Sequence, residues 1–261
     1  MPLSKNNDTN NFYPVEIPET EWHCDYPFST HRGCWHDCNY CSSKKYNIRF
    51  GGDPCKIRRL KGEWRGDNLK HRIFGNSGIF ISPYNDIMTV PDGDIKQILG
   101  VCNANADTQF IFQTKRVEGY FNYLDIIPDG SWLGTTIETD DVVMYNELKI
   151  SKAPNTPNRI HNLVRLKEKH RKQYRFFVTI EPIMQFSPRL LFWMNELEPD
   201  LIFIGANTSK VKLNEPSDTS VINLIYSLYD IIGVEKVYLK KNIRRLIPAF
   251  YDGWKLAKFG R

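Results

Sequence analysis

Three cysteines fall within eight residues, Cys34, Cys38 and Cys41 in the stretch HRGCWHDCNYCSSKK, although the 261-residue sequence holds only 6. Thiolates are soft donors, and the spacing Cys-x3-Cys-x2-Cys points to metal chemistry. An odd number cannot all pair as disulfides, and three ligands are one too few for a closed tetrahedral ion. A zinc site would recruit a fourth ligand from His31, His36, Cys24 or Cys55. Alternatively the three are structural cysteines that happen to cluster. The third reading is a 4Fe–4S cluster on three thiolates, its fourth iron left open to a small molecule. Cys102, in a helical pattern, reads as core.

A second set of residues could do chemistry because polar groups close otherwise apolar runs. They are Ser82, Asn85 and Asp86 after GIFIS, Lys115 and Arg116 after TQFIFQT, and Thr136 and Glu138 in SWLGTTIET. Glu181 in TIEP, Asn207 in GANTS, and Lys240 with Lys241 after KVYL complete it. Burying such a group without a partner costs about 1–3 kcal/mol, so its presence at a strand end asks for a reason. Asx turns and solvated loops are the plain alternatives.

The elements that must position these residues are legible as alternation. Strand candidates are PFSTH (27–31), GIFIS (78–82), TQFIFQT (108–114), SWLGTTI (131–137), RFFVTI (175–180), DLIFIG (200–205) and KVYLK (236–240). Most are continuous apolar runs, as expected for parallel strands buried on both faces. Helical patterns lie between them: PDGDIKQILGVCNA, TPNRIHNLVRLKEKHRKQY, SPRLLFWMNEL and PSDTSVINLIYSLYDIIGV, with Ser, Thr or Pro near their starts. This predicts an α/β fold with a parallel sheet, open or closed into a barrel. Ligands in such folds sit at the C-terminal strand ends, where the cysteines land after the first strand.

At 41% hydrophobic content the chain suffices for one large core or two small ones. No apolar run reaches the roughly 20 residues of a membrane span, and the polar N-terminus lacks a signal-peptide core. A cytoplasmic protein with no membrane partner is expected. The domain reading is an N-terminal arm (1–26), a main domain (27–245) with a basic insertion (42–76), and a basic C-terminal tail (246–261). The net charge of +5 hides an asymmetry: residues 42–76 carry +7, residues 240–261 carry +6, and the remainder carries −8. These segments are either solvated surfaces or a footprint for a polyanion.

The stretch CWHDCNYC resembles the signature of the radical SAM superfamily, three cysteines with an aromatic residue, here Tyr40, before the last. GIFISPYNDIMTVP, TQFIFQTKR, SWLGTTIET, RFFVTIEPI and DLIFIGANTS resemble, in that order, the strand ends of a small phage-type branch, over roughly residues 26–245. The resemblance implies a partial (β/α)6-type TIM barrel with the cluster loop after its first strand. It implies a 4Fe–4S cluster on Cys34, Cys38 and Cys41, with S-adenosylmethionine (SAM) chelated at the open iron and cleaved reductively to a 5′-deoxyadenosyl radical. A flavodoxin or ferredoxin would donate the electron, in the host cytoplasm if the protein is phage-encoded.

The superfamily's Gly-Gly-Glu-like turn reads Ser82-Pro83-Tyr84-Asn85-Asp86 here, so Ser82, Asn85 and Asp86 take over the SAM amino group. Lys115 falls to the SAM carboxylate or a substrate phosphate, Thr136 and Glu138 to the ribose, and Asn207 to adenine or substrate. Glu181 and Lys240 take the catalytic positions. The implied task is modification or rearrangement of a nucleic-acid base or nucleotide, of the phage DNA-modification or photoproduct-lyase kind. Arg58, Arg59 and Lys61 would grip phosphates beside the aromatics Tyr46, Phe50, Trp64 and Phe74. The alternatives are a nucleic-acid-binding protein with a structural zinc or iron site, and a radical SAM enzyme acting on a peptide or small metabolite.

Overall fold

The computed structural model describes residues 26–49, 51–60, 78–105 and 108–259. The seven strand candidates form one parallel sheet: β1 (Tyr26–Phe28), β4 (Gly78–Ile81), β5 (Gln109–Gln113), β6 (Trp132–Thr136), β7 (Arg175–Ile180), β8 (Leu201–Ile204) and β9 (Val237–Leu239). They lie side by side in chain order with β1 and β9 at the two edges, so the sheet is an open partial barrel. The first strand is shorter than its apolar run suggests. It ends at Phe28, and His31–Arg32 (β2) turns away to pair antiparallel with Arg58–Arg59 (β3).

Strand parity divides the core. Phe110 and Phe112, Phe176 and Val178, and Ile202 and Ile204 point outward into the cluster built with the helices. Ile111, Trp132, Phe177, Leu201, Phe203 and Tyr238 point inward and fill the concave side. Each such side chain contributes about 1.5–3 kcal/mol by leaving water. Gly134 sits in this inner layer for a steric reason: a Cβ there would lie 2.2 Å from the Phe177 ring. Two residues further along the same inward-facing rows, as at Gln113, Thr179 and Lys240, the side chains become polar, and that is where the site begins.

The four helical patterns of the sequence appear as α2 (Asp92–Asn103), α4 (Thr156–His170), α5 (Arg189–Leu197) and α6 (Asp218–Ile232), and α3 (Val142–Glu147) is an additional short helix. α2 opens after Pro91, α4 is capped by Asn155, and α6 by Ser217. α3 is capped by Asp141, and α5 follows Pro188. Two stretches read as irregular or as a tail are helical. Ser42–Arg49 forms α1 inside the basic segment, with Asn47 its buried residue. Pro248–Phe259 forms α7, and its Tyr251 and Trp254 are buried in the main core. No helix among the described residues is long and apolar enough to cross a membrane.

Candidate active site

The loop from Gly33 to Cys41 leaves the sheet at the C-terminal end of β1 and is pinned on several sides. Gly33 has φ +88°, and a Cβ there would lie 2.1 Å from the Lys56 carbonyl oxygen, so only glycine fits. The Cys34 amide donates to the Pro54 carbonyl (3.0 Å), the Asn39 amide to Ile150 (3.0 Å), and the Lys152 amide to the His36 carbonyl (2.6 Å). The Ser151 hydroxyl donates to that same carbonyl at 2.9 Å and lies 3.1 Å from Cys38 Sγ. Held this way, Cys34, Cys38 and Cys41 all line one cavity of about 610 Å³ at the mouth of the partial barrel.

Burial pushes the Cys34 thiol up to about 12, and the Asp86 carboxylate adds to the effect. Burial raises Cys41 as well. Thiols in this setting become thiolates only against a strong positive charge, which is what a metal centre supplies. Among the described residues no three His, Cys, Asp or Glu side chains converge as the ligands of one ion must. Three thiolates on an iron–sulfur cubane each bind a different iron, and three cysteines along one cavity wall are a donor set of that kind. The two histidines near the loop are each held by a carboxylate. His31 Nδ1 pairs with the Thr30 hydroxyl and its Nε2 with Asp94, and His36 Nε2 donates to Asp86.

Asp86 is a junction rather than an open ligand. Its buried carboxylate accepts from His36 (2.8 Å), the Thr114 hydroxyl (2.6 Å), the Lys115 amide (2.7 Å) and the Met88 amide (3.0 Å). Burial alone would raise its pKa, but the His36 contact and these donors hold it below the usual carboxylate range. It thereby ties the cysteine loop to the ends of β4 and β5. Beside it Ser82 holds φ +65°, a left-handed conformation for a buried non-glycine residue. Asn85 differs in kind: its Nδ2 donates to the Asp86 carbonyl, while its buried Oδ1 has no partner among the described residues. That oxygen is an unspent acceptor on a cavity-lining residue.

Glu138 is fully buried and is absent from the cavity wall. One oxygen takes Lys115 Nζ at 2.5 Å and the Tyr40 hydroxyl, and the other takes Arg159 at 2.8 Å. Lys115 also donates to the Tyr40 hydroxyl, and Arg159 donates to Tyr145. Burial would raise the carboxyl, but the Arg159 and Lys115 charges outweigh it and hold it at about 2. Every other residue read as cofactor-binding or catalytic lines the cavity: Tyr40, Ser82, Asn85, Asp86, Lys115, Thr136, Asn207, Glu181 and Lys240.

The floor holds a second ion pair. Lys240 donates to Glu181 Oε2 (2.5 Å), and Asn242 Nδ2 donates to Glu181 Oε1 (2.5 Å). Asn242 Oδ1 accepts the Ala206 amide at 3.1 Å, which fixes the amide's orientation. Gln113 donates to the Thr136 hydroxyl (2.8 Å) on the same wall. Sequence reading missed Arg159, Gln113 and Asn242. Arg159 carried a signal: it shares the i, i+4 face of Leu163 in α4, an arginine on an apolar stripe. Gln113 carried one too, lying two residues beyond the inward-facing Ile111.

Of the residues read as nucleic-acid binding, Arg58 and Arg59 are not part of the cavity wall. Arg59 forms a two-pronged ion pair with Asp94, Nε lying 2.9 Å from Oδ2, and is tied to the start of α2. Arg58 reaches Asn47 at 3.4 Å. Lys61 falls outside the described residues, as do Cys24, Phe50, Trp64 and Phe74.

No protein-family model matches the sequence, and no curated protein matches it. Solved structures do match the fold. A spore photoproduct lyase variant with bound AdoMet and dinucleoside spore photoproduct superposes with a TM-score of 0.59 at 13% identity, covering 87% of this chain and 79% of that one. The structure described as native anSMEcpe with bound AdoMet and Cp18Cys peptide matches with a TM-score of 0.50 at 10% identity, covering 82% and 62%. At such identities the likeness establishes a shared fold, an open partial barrel of parallel strands.

Proposed function

We propose that this protein is a radical SAM enzyme whose substrate is a nucleic-acid base or a nucleotide. The observation that carries the first half is a single cavity. Cys34, Cys38 and Cys41 line it together with Asn85, whose buried carbonyl oxygen lacks a partner. The three thiolates would hold a 4Fe–4S cluster, and Asn85 Oδ1 would accept from the amino group of SAM. Bound together, the cluster and SAM would supply a 5′-deoxyadenosyl radical by one-electron cleavage of the sulfonium.

The chain's own residues then have distinct tasks. Asp86 holds His36 and with it the cysteine loop. Glu138, lacking access to the cavity, orients Tyr40 and Lys115, and Lys115, on the cavity wall, would pair with the SAM carboxylate. Thr136, held by Gln113, would meet the ribose, and Asn207 the adenine or the substrate. Glu181 and Lys240, clamped by Asn242 at the floor, present an acceptor and a donor to a bound base. The inner apolar layer beneath them excludes water from a site where a carbon radical would attack most C–H bonds. The base or nucleotide reading is supported by the charge asymmetry of the sequence and by the fold shared with a lyase structure that holds a dinucleoside.

Anaerobic reconstitution tests the assignment. The protein is expected to take up about four irons per chain with the broad visible absorption of a 4Fe–4S cluster. Cys34→Ala, Cys38→Ala and Cys41→Ala each lose it, while Cys102→Ala, in the core of α2, keeps it. Asn85→Ala keeps the cluster and binds SAM less tightly by calorimetry. Stoichiometric zinc without iron in anaerobic preparations would overturn the reading.

A further inference from the structure

The three cysteine sulfurs are met by different kinds of donor. Cys41 Sγ accepts from the Lys44 amide at 3.4 Å, one of the amides that the first turn of α1 leaves without a carbonyl partner. The backbone amides of His36 and Asp86 favour the thiolate of Cys34. At Cys38 the neighbour is a side chain. The Ser151 hydroxyl lies 3.1 Å from its Sγ, reaching in from the loop between α3 and α4, 113 residues further along the chain.

The Ser151 proton has two acceptors within reach. With a thiol at Cys38, the S–H donates to Ser151 Oγ, and the Ser151 O–H donates to the His36 carbonyl at 2.9 Å. A sulfur bound to metal has no proton to give, so the 3.1 Å contact stays a hydrogen bond only if Ser151 becomes the donor. The surroundings permit that turn. The His36 carbonyl keeps the Lys152 amide at 2.6 Å, and the Ser151 oxygen keeps the Ala153 amide at 3.1 Å. No group is left unpaired, and a charged thiolate is a stronger acceptor than a carbonyl that already has a donor.

We propose that Ser151 donates to the Cys38 sulfur when that thiolate binds iron, and that this bond raises the reduction potential of the cluster. The proposal rests on the cluster reading above. The reduced cluster carries one more negative charge than the oxidised one, so a donor at a ligand sulfur stabilises the reduced form more. The donors at Cys34 and Cys41 belong to the backbone and survive any change of side chain. The donor at Cys38 is set by the residue at position 151. Ser151 acts through Cys38 and is in that sense a positioning residue.

The test is the midpoint potential of the anaerobically reconstituted chain, followed by the EPR signal of the reduced cluster without SAM. Ser151→Ala is expected to shift the one-electron equilibrium toward the oxidised form by about tenfold, or about 59 mV to more negative potential. Ser151→Thr keeps the hydroxyl and stays near the wild type. Ser151→Val has the shape of threonine without the hydroxyl and follows the alanine variant. The threonine and valine variants therefore isolate the hydroxyl even where the alanine variant loads poorly. Equal potentials in all four proteins, or a threonine variant displaced as far as the valine one, would overturn the proposal and leave the cluster reading standing. A wild type that takes up zinc and no iron would overturn the cluster reading, and the proposal with it.

Discussion

Glu138 is surrounded by Arg159, Lys115 and Tyr40, with no exposure to solvent and both carboxylate oxygens engaged. Removing its charge strands two buried cations, a change that typically costs about 3–5 kcal/mol. Glu138→Gln is therefore expected to lower stability by that order in denaturant titration, while Asn85→Ala, which removes an unpaired acceptor and one long hydrogen bond to the Asp86 carbonyl, is expected to cost much less. The pH dependence has a definite sign. The carboxyl is held at about 2, below its ordinary 4.5, so its contribution is complete above that ordinary value and is lost as pH falls through this window. Wild-type melting temperature should drop across that window more than that of Glu138→Gln. Equal acid sensitivity would show that the network carries no such stability. Sequence alone marked Glu138 as a polar residue closing a strand, but not which way it faced. That depended on Arg159, which approaches from a helix 21 residues further along the chain.

The strands were legible because each is an apolar run buried on both sides, and their ends were legible because polarity returns there. What was not legible follows from missing patterns. Helix α1 has the sequence SSKKYNIR, with no apolar stripe, and buries Asn47, so its period is invisible. The first strand looked longer than it is because Ser29, Thr30 and His31 are buried too, in a junction where Asp94 of α2 accepts from His31 and Arg59. The inner layer of the barrel offers a sharper test at the level of elements. Gly134→Ala would drive a methyl group into the Phe177 ring and is expected to cost about 1–3 kcal/mol by thermal or chemical unfolding. Phe177→Leu, which shortens the opposing side chain, should recover part of that loss in the double variant. Simple additivity of the two changes would argue against the contact as the cause.

Across the whole molecule, charge and cavity give different kinds of information. The positive segments seen in the sequence are partly neutralised where they fold: Arg59 by Asp94, Arg244 by Asp252 at 2.8 Å, and Arg245 by Glu215. A count of basic residues therefore overstates the surface open to a polyanion. The cavity brings residues from six strand ends and the cysteine loop to one place, which no local stretch of sequence could reveal. On the proposed reading, this place cleaves SAM by one-electron chemistry. The most direct measurement is chromatographic quantitation of 5′-deoxyadenosine after SAM and dithionite are added anaerobically to reconstituted protein. Formation of 5′-deoxyadenosine with an equal amount of methionine, abolished in Cys38→Ala, is the expected result. A wild type that carries the cluster and binds SAM, yet yields no more 5′-deoxyadenosine than Cys38→Ala, would contradict it.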